Sequence, residues 1–457
     1  MLAPVLVFHN AAPVAPGNAM PPVACAGSLH DFAWRTLGLA DWLERVEDGR
    51  VAGRVTVPAA AVLRAVLMGF VLNLGSVRAT EDRLKHSAGF RALCGVREPM
   101  SDDGMRDVLA CVAHAGLDDV LRHTAKRELL RWRAGRYRAC LLARRLAGLN
   151  CSFVTTKAVV ALDGHESHCS EVVRCPDCHV RTKTVKRGKE LVEVEEYYHK
   201  LVVAQRIGAH PAIVLDAELI KPGEGELTAG LRLVKRLGRQ YGADLVGVIV
   251  GDALYDCEPF RTTVREAGFR SVVRHKREDR PPGSELAREV DRRDPQRQRP
   301  DGWHHDKVTG KRYRYWVQQE PHHGRRYIEV HRSGPKDKDP VQVGALVTDL
   351  ADTLPAMVAG IIMETRWNQE NTGFHEFAGQ LGFDRAYVHK GRPTAAWAVV
   401  LLALTAFNVW QSYLYRRLGL DPAKPRRTWG DLRRDIFESL NQLLRRPPPV
   451  TSPPRPP

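Results

Sequence analysis

Two aspartates each close a run of apolar, β-branched residues: Asp163 in SFVTTKAVVALDG and Asp252 in DLVGVIVGD. Carboxylates at strand ends stand where an α/β sheet opens into a crevice, so they meet ligand rather than core. The two lie 89 residues apart and share a site only if their strands are neighbours. A third carboxylate from the late helical segment IIMETRWNQEN would complete a set able to hold two Mg2+ ions. Such ions, about 4 Å apart, serve phosphoryl transfer, and hard cations prefer oxygen donors. A lone strand-end aspartate also serves as a turn or helix cap, so the pair suggests this chemistry without deciding it.

A second constellation overlaps the first. Between Asp163 and His179 the chain crowds His165, Glu166, His168, Cys169, Cys175 and Cys178. Two cysteines at x2 spacing chelate from one tight turn, and a structural zinc takes four such ligands. Cys169, Cys175, Cys178 and His179 are the candidate Zn2+ ligands, with His165 and His168 as other sources of the fourth. Reduced cysteines without metal are the competing reading. The other six of the nine cysteines are scattered, which speaks against a disulfide framework and for a reducing, cytoplasmic setting.

The elements that must position these groups follow from texture. Residues 1–29 lack Lys and Arg and are broken by prolines, which reads as a flexible leader and a poor signal peptide. Residues 30–148 are helical in pattern and basic, a candidate DNA-binding domain. Within them Ser101-Asp102-Asp103 suits a helix N-cap before Met105, Val108 and Leu109. Residues 149–276 alternate strands and helices, three strands that can pair as neighbours and then two reached by helical crossovers, with a Cys/His loop at 164–195. That order predicts a mixed α/β sheet flanked by helices. Residues 277–342 are polar, yet Trp303, Tyr313, Tyr315, Trp316 and Tyr327 make them too aromatic for a linker, so they read as a β-rich insertion. Residues 343–420 return to the core with a strand and a long helix, and 421–457 form a C-terminal helix and a Pro-rich tail. Thr394–Trp410 is apolar but short for a bilayer and contains Asn408, so it reads as a buried core helix, with no membrane partner. The net charge of +16 favours a polyanion, nucleic acid first.

Taken in order, VALDGHE, VGVIVGDALYDCEPF and METRWNQENTGFHEF resemble the DDE transposases of bacterial insertion sequences, over about residues 154–415. The chain is similar in particular to the branch with a β-rich insertion and a Y-x2-R-x3-E-x6-K helix. Arg366 and Glu370 match R-x3-E, while Met363 replaces the tyrosine and Phe377 the lysine. The resemblance implies a ribonuclease H-like catalytic domain, interrupted by the insertion and preceded by an all-helical domain. It implies a catalytic triad of Asp163, Asp252 and Glu370 holding two Mg2+ ions. Glu364 is the rival third member, six residues earlier and so nearly opposite on a helix. Arg366 would contact a phosphate, Tyr255, Arg274 and Lys276 would line the DNA, and Trp303 would stack on a flipped base. The implied function is cutting the ends of an insertion element and joining them to target DNA, by a homodimer in the synaptic complex. A non-catalytic DNA-binding descendant, or a ribonuclease H-like nuclease without strand transfer, are the alternatives.

Overall fold

In the computed structural model the described residues are 24–134, 140–149, 151–172, 174–275, 300–320, 325–333, 341–351, 353–383, 393–420 and 428–445. Among these residues ten strands form: β1 Ala158–Ser170, β2 His179–Arg187, β3 Glu190–Arg206, β4 Ile213–Ile220, β5 Val246–Gly251, β6 Arg270–Arg274, β7 Gly302–Asp306, β8 Lys311–Glu320, β9 Arg325–Ser333 and β10 Val341–Thr348. They make one mixed sheet in the order β2-β3-β1-β5-β6-β10-β9-β8-β7, with β4 on β3. The β1–β5 and β5–β6 pairs are parallel and the rest antiparallel.

Alternation along β1 sorts the core. Val160 and Leu162 pack under the helix Glu226–Leu245, while Val159 and Ala161 face the helix Ala356–Asn368. Successive strand side chains point to opposite faces, so Asp163 is delivered to the side of the second helix. A third apolar cluster joins the helices of residues 26–121 to the helices Pro393–Ser412 and Trp429–Arg445, over Leu201, Val203, Val214 and Ala217 of β3 and β4. The expected N-cap is present: Ser101 Oγ accepts from the Gly104 amide at 3.2 Å, and Met105, Val108 and Leu109 are buried beneath it.

Several sequence expectations change. The segment 164–195 is mostly strand rather than loop: β1 runs on through Ser170, and β2 and β3 form a hairpin turned at Gly188 (φ +65°). The described part of the insertion is no separate layer. β7, β8 and β9 extend the main sheet through β10, because Ile328, Val330 and Tyr313 join the same apolar cluster as the helix Ala356–Asn368. Residues 1–23 of the expected leader and 446–457 of the expected tail lie outside the described residues, as do residues 277–299, 321–324 and 334–340 of the insertion. Ala24, Ala26 and Leu29, at the end of the expected leader, are instead core residues.

Among the described residues one helix, Thr394–Arg417, is long and apolar enough to cross a membrane, and it lies buried among the N-terminal helices. Its Asn408 accepts from Val214 N at 2.8 Å and donates to Val214 O at 2.8 Å and Thr124 Oγ1 at 2.9 Å. A buried amide satisfied in this way costs little and fixes the helix against the edge strand.

Candidate active site between β1 and β5

The parallel pairing of β1 with β5 ends at Ala161 opposite Val250. β5 stops one residue later at Gly251, while β1 continues against β3 with Asp163 opposite Val203. One strand leaves and its neighbour goes on, which opens a crevice where Asp163 and Asp252 stand on adjacent chains. Asp252 leads into a short turn and accepts from Leu254 N at 2.9 Å. The expectation that β1 ends at Asp163 is therefore corrected: the crevice arises because its partner ends.

The helix Ala356–Asn368 crosses this point and gives way to a π-helical turn, Gln369–Phe374. Such turns are rare and recur at functional sites. Gln369 seats the turn on β3 by donating to Val203 O at 3.0 Å, and the turn carries Glu370. Arg366, 6% exposed, joins the segments: its Nη1 donates to Asp163 Oδ2 at 2.9 Å and its Nη2 lies 3.0 Å from Glu370 Oε1. Sequence reasoning missed a fourth carboxylate, Glu226, at the start of the helix Glu226–Leu245. The Tyr255 hydroxyl donates to its Oε1 at 3.0 Å. Its Oε2 would lie 2.3 Å from a Cβ placed on Gly164, so only glycine lets that carboxylate approach β1 beside Asp163.

The electrostatics are those of too many acids for the available bases. Burial pushes Asp163 up to about 7; Arg366 opposes this, and Glu370, Glu226 and Asp252 add to it. Burial also pushes Glu226 up, with the Tyr255 hydroxyl opposing and Asp252 adding. Like charges in a low-dielectric crevice disfavour ionisation until a cation arrives. The donors are all oxygens, which fits a hard divalent ion. Among the described residues no three of these carboxylates bring one oxygen each within 4.8 Å of one another. The set is wider than one ion's shell, and Arg366 bridges Asp163 to Glu370 across it.

Glu364, the rival to Glu370, faces away from this crevice. Tyr313 donates to it at 2.6 Å, Lys311 lies at 2.9 Å, and Arg145 and Arg332 also bind it. Burial pushes its carboxyl up, but the Tyr313 hydroxyl, Arg145 and Lys311 outweigh that and hold it down at about 2. Arg145 also donates to Asp306 at 2.8 Å, which fastens β7, β8 and β9 to the helix.

The residues expected on DNA separate. Tyr255 is fully buried, its ring packed against Gly251 and Gly230, so its role is to hold Glu226 rather than to touch DNA. Arg274 is exposed at the end of β6, and Lys276 lies outside the described residues. Trp303 is 66% exposed but sits on β7, six strands along the sheet from β1, with the Arg314 guanidinium 5.7 Å from its ring centre. Trp367, not singled out by the sequence, is half-exposed next to Arg366.

The Cys/His expectation is also redistributed. Cys175 and Cys178 converge with His199 of β3, and these three donor atoms lie within 4.8 Å of one another. His179 instead faces Ile220 O at 2.8 Å and stacks on Tyr198, on the opposite face of the β2–β3 ladder from His199. Cys169 lies on β1 outside the trio. His165 stacks on Phe374, packs near Phe377 and Phe383 and lies outside the trio, so it is a core ring, and burial pushes it down to about 4.

No protein-family model and no curated protein matches the chain. Among solved structures, a piggyBac transposase synaptic complex with hairpin DNA is similar over 93% of this chain and 83% of that one, with 13% sequence identity and a TM-score of 0.40.

Proposed function

We propose that the chain is a DDE-type DNA transposase, which cuts the ends of its own element and joins them to target DNA. The observation that supports this most is the convergence of Asp163, Asp252 and Glu370, from three distant segments, at one crevice where Arg366 pairs with two of them. The sheet is compatible with a ribonuclease H-like core: β1, β3 and β4 pair as neighbours, and β5 and β6 follow by helical crossovers, parallel to β1. The net charge of +16 suits a DNA partner.

Asp163, Asp252 and Glu370 would hold Mg2+, with Glu226 beside them. Ions bound there supply activation of the attacking oxygen and stabilisation of the leaving oxygen. The chain's own residues do the rest. Arg366 is buried and presents two N–H edges, so an arriving phosphodiester can take one of them in a charge-assisted hydrogen bond. Asp163, with its carboxyl up at about 7, holds a proton for part of the time at neutral pH and loses it when a cation binds. Glu226 and the buried Tyr255 fix the backbone beside Asp163, and exposed Arg274 stands at the end of β6 for backbone contacts. Two DNA ends brought together would require two copies of the chain.

The test uses purified protein, Mg2+ and a plasmid carrying this reading frame with its native flanking DNA. Wild type should release ends and join them to a second plasmid, while Asp252→Ala should bind the same DNA and do neither. Equal inertness of both, with binding retained, would mean a DNA-binding protein and not an enzyme. Cut ends that never join would mean a nuclease.

A further inference from the structure

We infer that Cys175, Cys178 and His199 form a zinc site that clips the β1–β2 connection onto β3, a proposal that stands apart from the transposase reading. The distances carry it. In a tetrahedral site with Zn–S of about 2.3 Å and Zn–N of about 2.05 Å, two sulfurs stand roughly 3.8 Å apart and a sulfur and nitrogen roughly 3.6 Å. Here Cys175 Sγ and Cys178 Sγ are 3.5 Å apart, and His199 Nε2 lies 3.3 Å from the first and 3.5 Å from the second. All three edges of that triangle are therefore close to those of a metal-centred tetrahedron.

The local chain is built for it. Cys175-Pro176-Asp177-Cys178 closes a tight turn through Cys178 N to Cys175 O at 3.1 Å, so both thiols leave from one side. His199 comes from a regular strand, is 7% exposed, and aims its Nε2 at both sulfurs. A buried imidazole facing two thiols in this way has the donor set zinc prefers over Mg2+ or Ca2+. Among the described residues no fourth Cys, His, Asp or Glu joins the trio at that distance.

The clip has a mechanical meaning. His199 lies opposite Ser167 in the β1–β3 ladder, four residues beyond Asp163 on the strand that carries it. Closing residues 171–178 onto that point removes the freedom of the connection and anchors the base of the β2–β3 hairpin. β2 is mostly exposed and carries Arg181, Lys183, Lys186 and Arg187. Without the clip, β2 would be held by ladder hydrogen bonds, by His179 on Ile220 O and Tyr198, and by ion pairs such as Arg181–Glu196.

Zinc content of the purified full-length chain, measured by atomic emission, tests the site. Wild type should carry one zinc per chain, His179→Ala should keep it, and Cys178→Ser and His199→Ala should lose it. Cobalt exchanged into wild type should give the intense visible bands of a tetrahedral thiolate site, absent in His199→Ala. His199→Cys, which retains a ligating atom, should restore metal, so a loss caused by misfolding is recognised, with circular dichroism as a check. A wild-type chain that stays metal-free after reconstitution with zinc would overturn the proposal. So would zinc retained in His199→Ala but lost in His179→Ala.

Discussion

The helix Ala356–Asn368 and the π-helical turn that continues it carry two glutamates six residues apart, Glu364 and Glu370, and their surroundings are opposite. Glu364 is met by Arg145, Arg332, Lys311 and Tyr313, more donors than one carboxylate needs, and is held down at about 2. Glu370 shares Arg366 with Asp163, near two further acids, in a crevice that pushes Asp163 up to about 7. The first arrangement is complete within the protein and serves to fasten strands. The second is short of positive charge, which is the condition of a site made for something that arrives. Satisfaction of charge, not the type of residue, is what separates the two carboxylate environments.

The largest effect should come from removing a carboxylate on the unsatisfied side. Asp252→Ala should lower end cleavage at least about 10³-fold, equivalent to about 4 kcal/mol of barrier, with little change in the urea midpoint. Glu364→Ala should do the reverse. Arg145 would keep Asp306 but lose one of its two carboxylates, which should cost about 3 kcal/mol of stability, read as a lower urea midpoint. Loss of activity in a Glu364→Ala protein as stable as wild type would break the comparison, because Glu364 would then belong to the chemistry.

The two sides should also answer pH with opposite slopes. Glu364 has a folded value depressed from 4.5 to about 2. Its contribution, about 3 kcal/mol, is present above pH 4.5 and is lost as pH falls toward 2. Asp163 has a folded value raised from 3.8 to about 7. The folded state keeps a proton that the unfolded chain has released, so stability falls as pH rises from about 4 to 7. In Mg2+-free buffer, Asp163→Asn should therefore melt higher than wild type at pH 8, and the two should converge near pH 4. Glu364→Gln should melt lower at pH 7 and converge with wild type near pH 2. Parallel pH curves for the two variants would show that the carboxylates do not differ in environment.

The readable part of this contrast was what local texture encodes. Asp163 and Asp252 follow apolar β-branched runs, and the separation of Glu364 from Glu370 follows from helical periodicity. What stayed hidden depends on partners distant in sequence. Glu226 looks like a helix-start glutamate, favourable against the helix dipole wherever it occurs; only Gly164 and Tyr255 reveal its use. His199 sits inside a plain strand run, 21 residues from Cys178, whereas His179 stood next to it in sequence and faced the wrong way. Tyr255 was misread because its position after Asp252 suggested an open loop, while the close glycines on β5 and the neighbouring helix draw its ring inside. The sheet continuity of β7–β10 was hidden for the same reason: strand pairing is decided by edges, which texture does not specify.

The smallest effect, and the one that most sharpens the comparison, concerns Glu226. It shares features of both sides: a hydroxyl donor satisfies part of it, as with Glu364, yet burial and Asp252 push it up, as with Asp163. If it acts by placing the backbone at Gly164, its charge matters less than its shape. Glu226→Gln should then keep the Tyr255 contact and lower cleavage only about 10-fold, within the 10- to 100-fold range typical of groups that orient metal ligands. Glu226→Ala should cost more than Glu226→Gln, and Tyr255→Phe should resemble the milder variant. Varying Mg2+ separates the roles: an orienting group leaves the order Ala below Gln intact at saturating Mg2+, whereas a fourth metal ligand makes Gln as damaging as Ala and shifts the Mg2+ requirement of both upward. The second outcome would move Glu226 from the frame of the crevice into its cation shell.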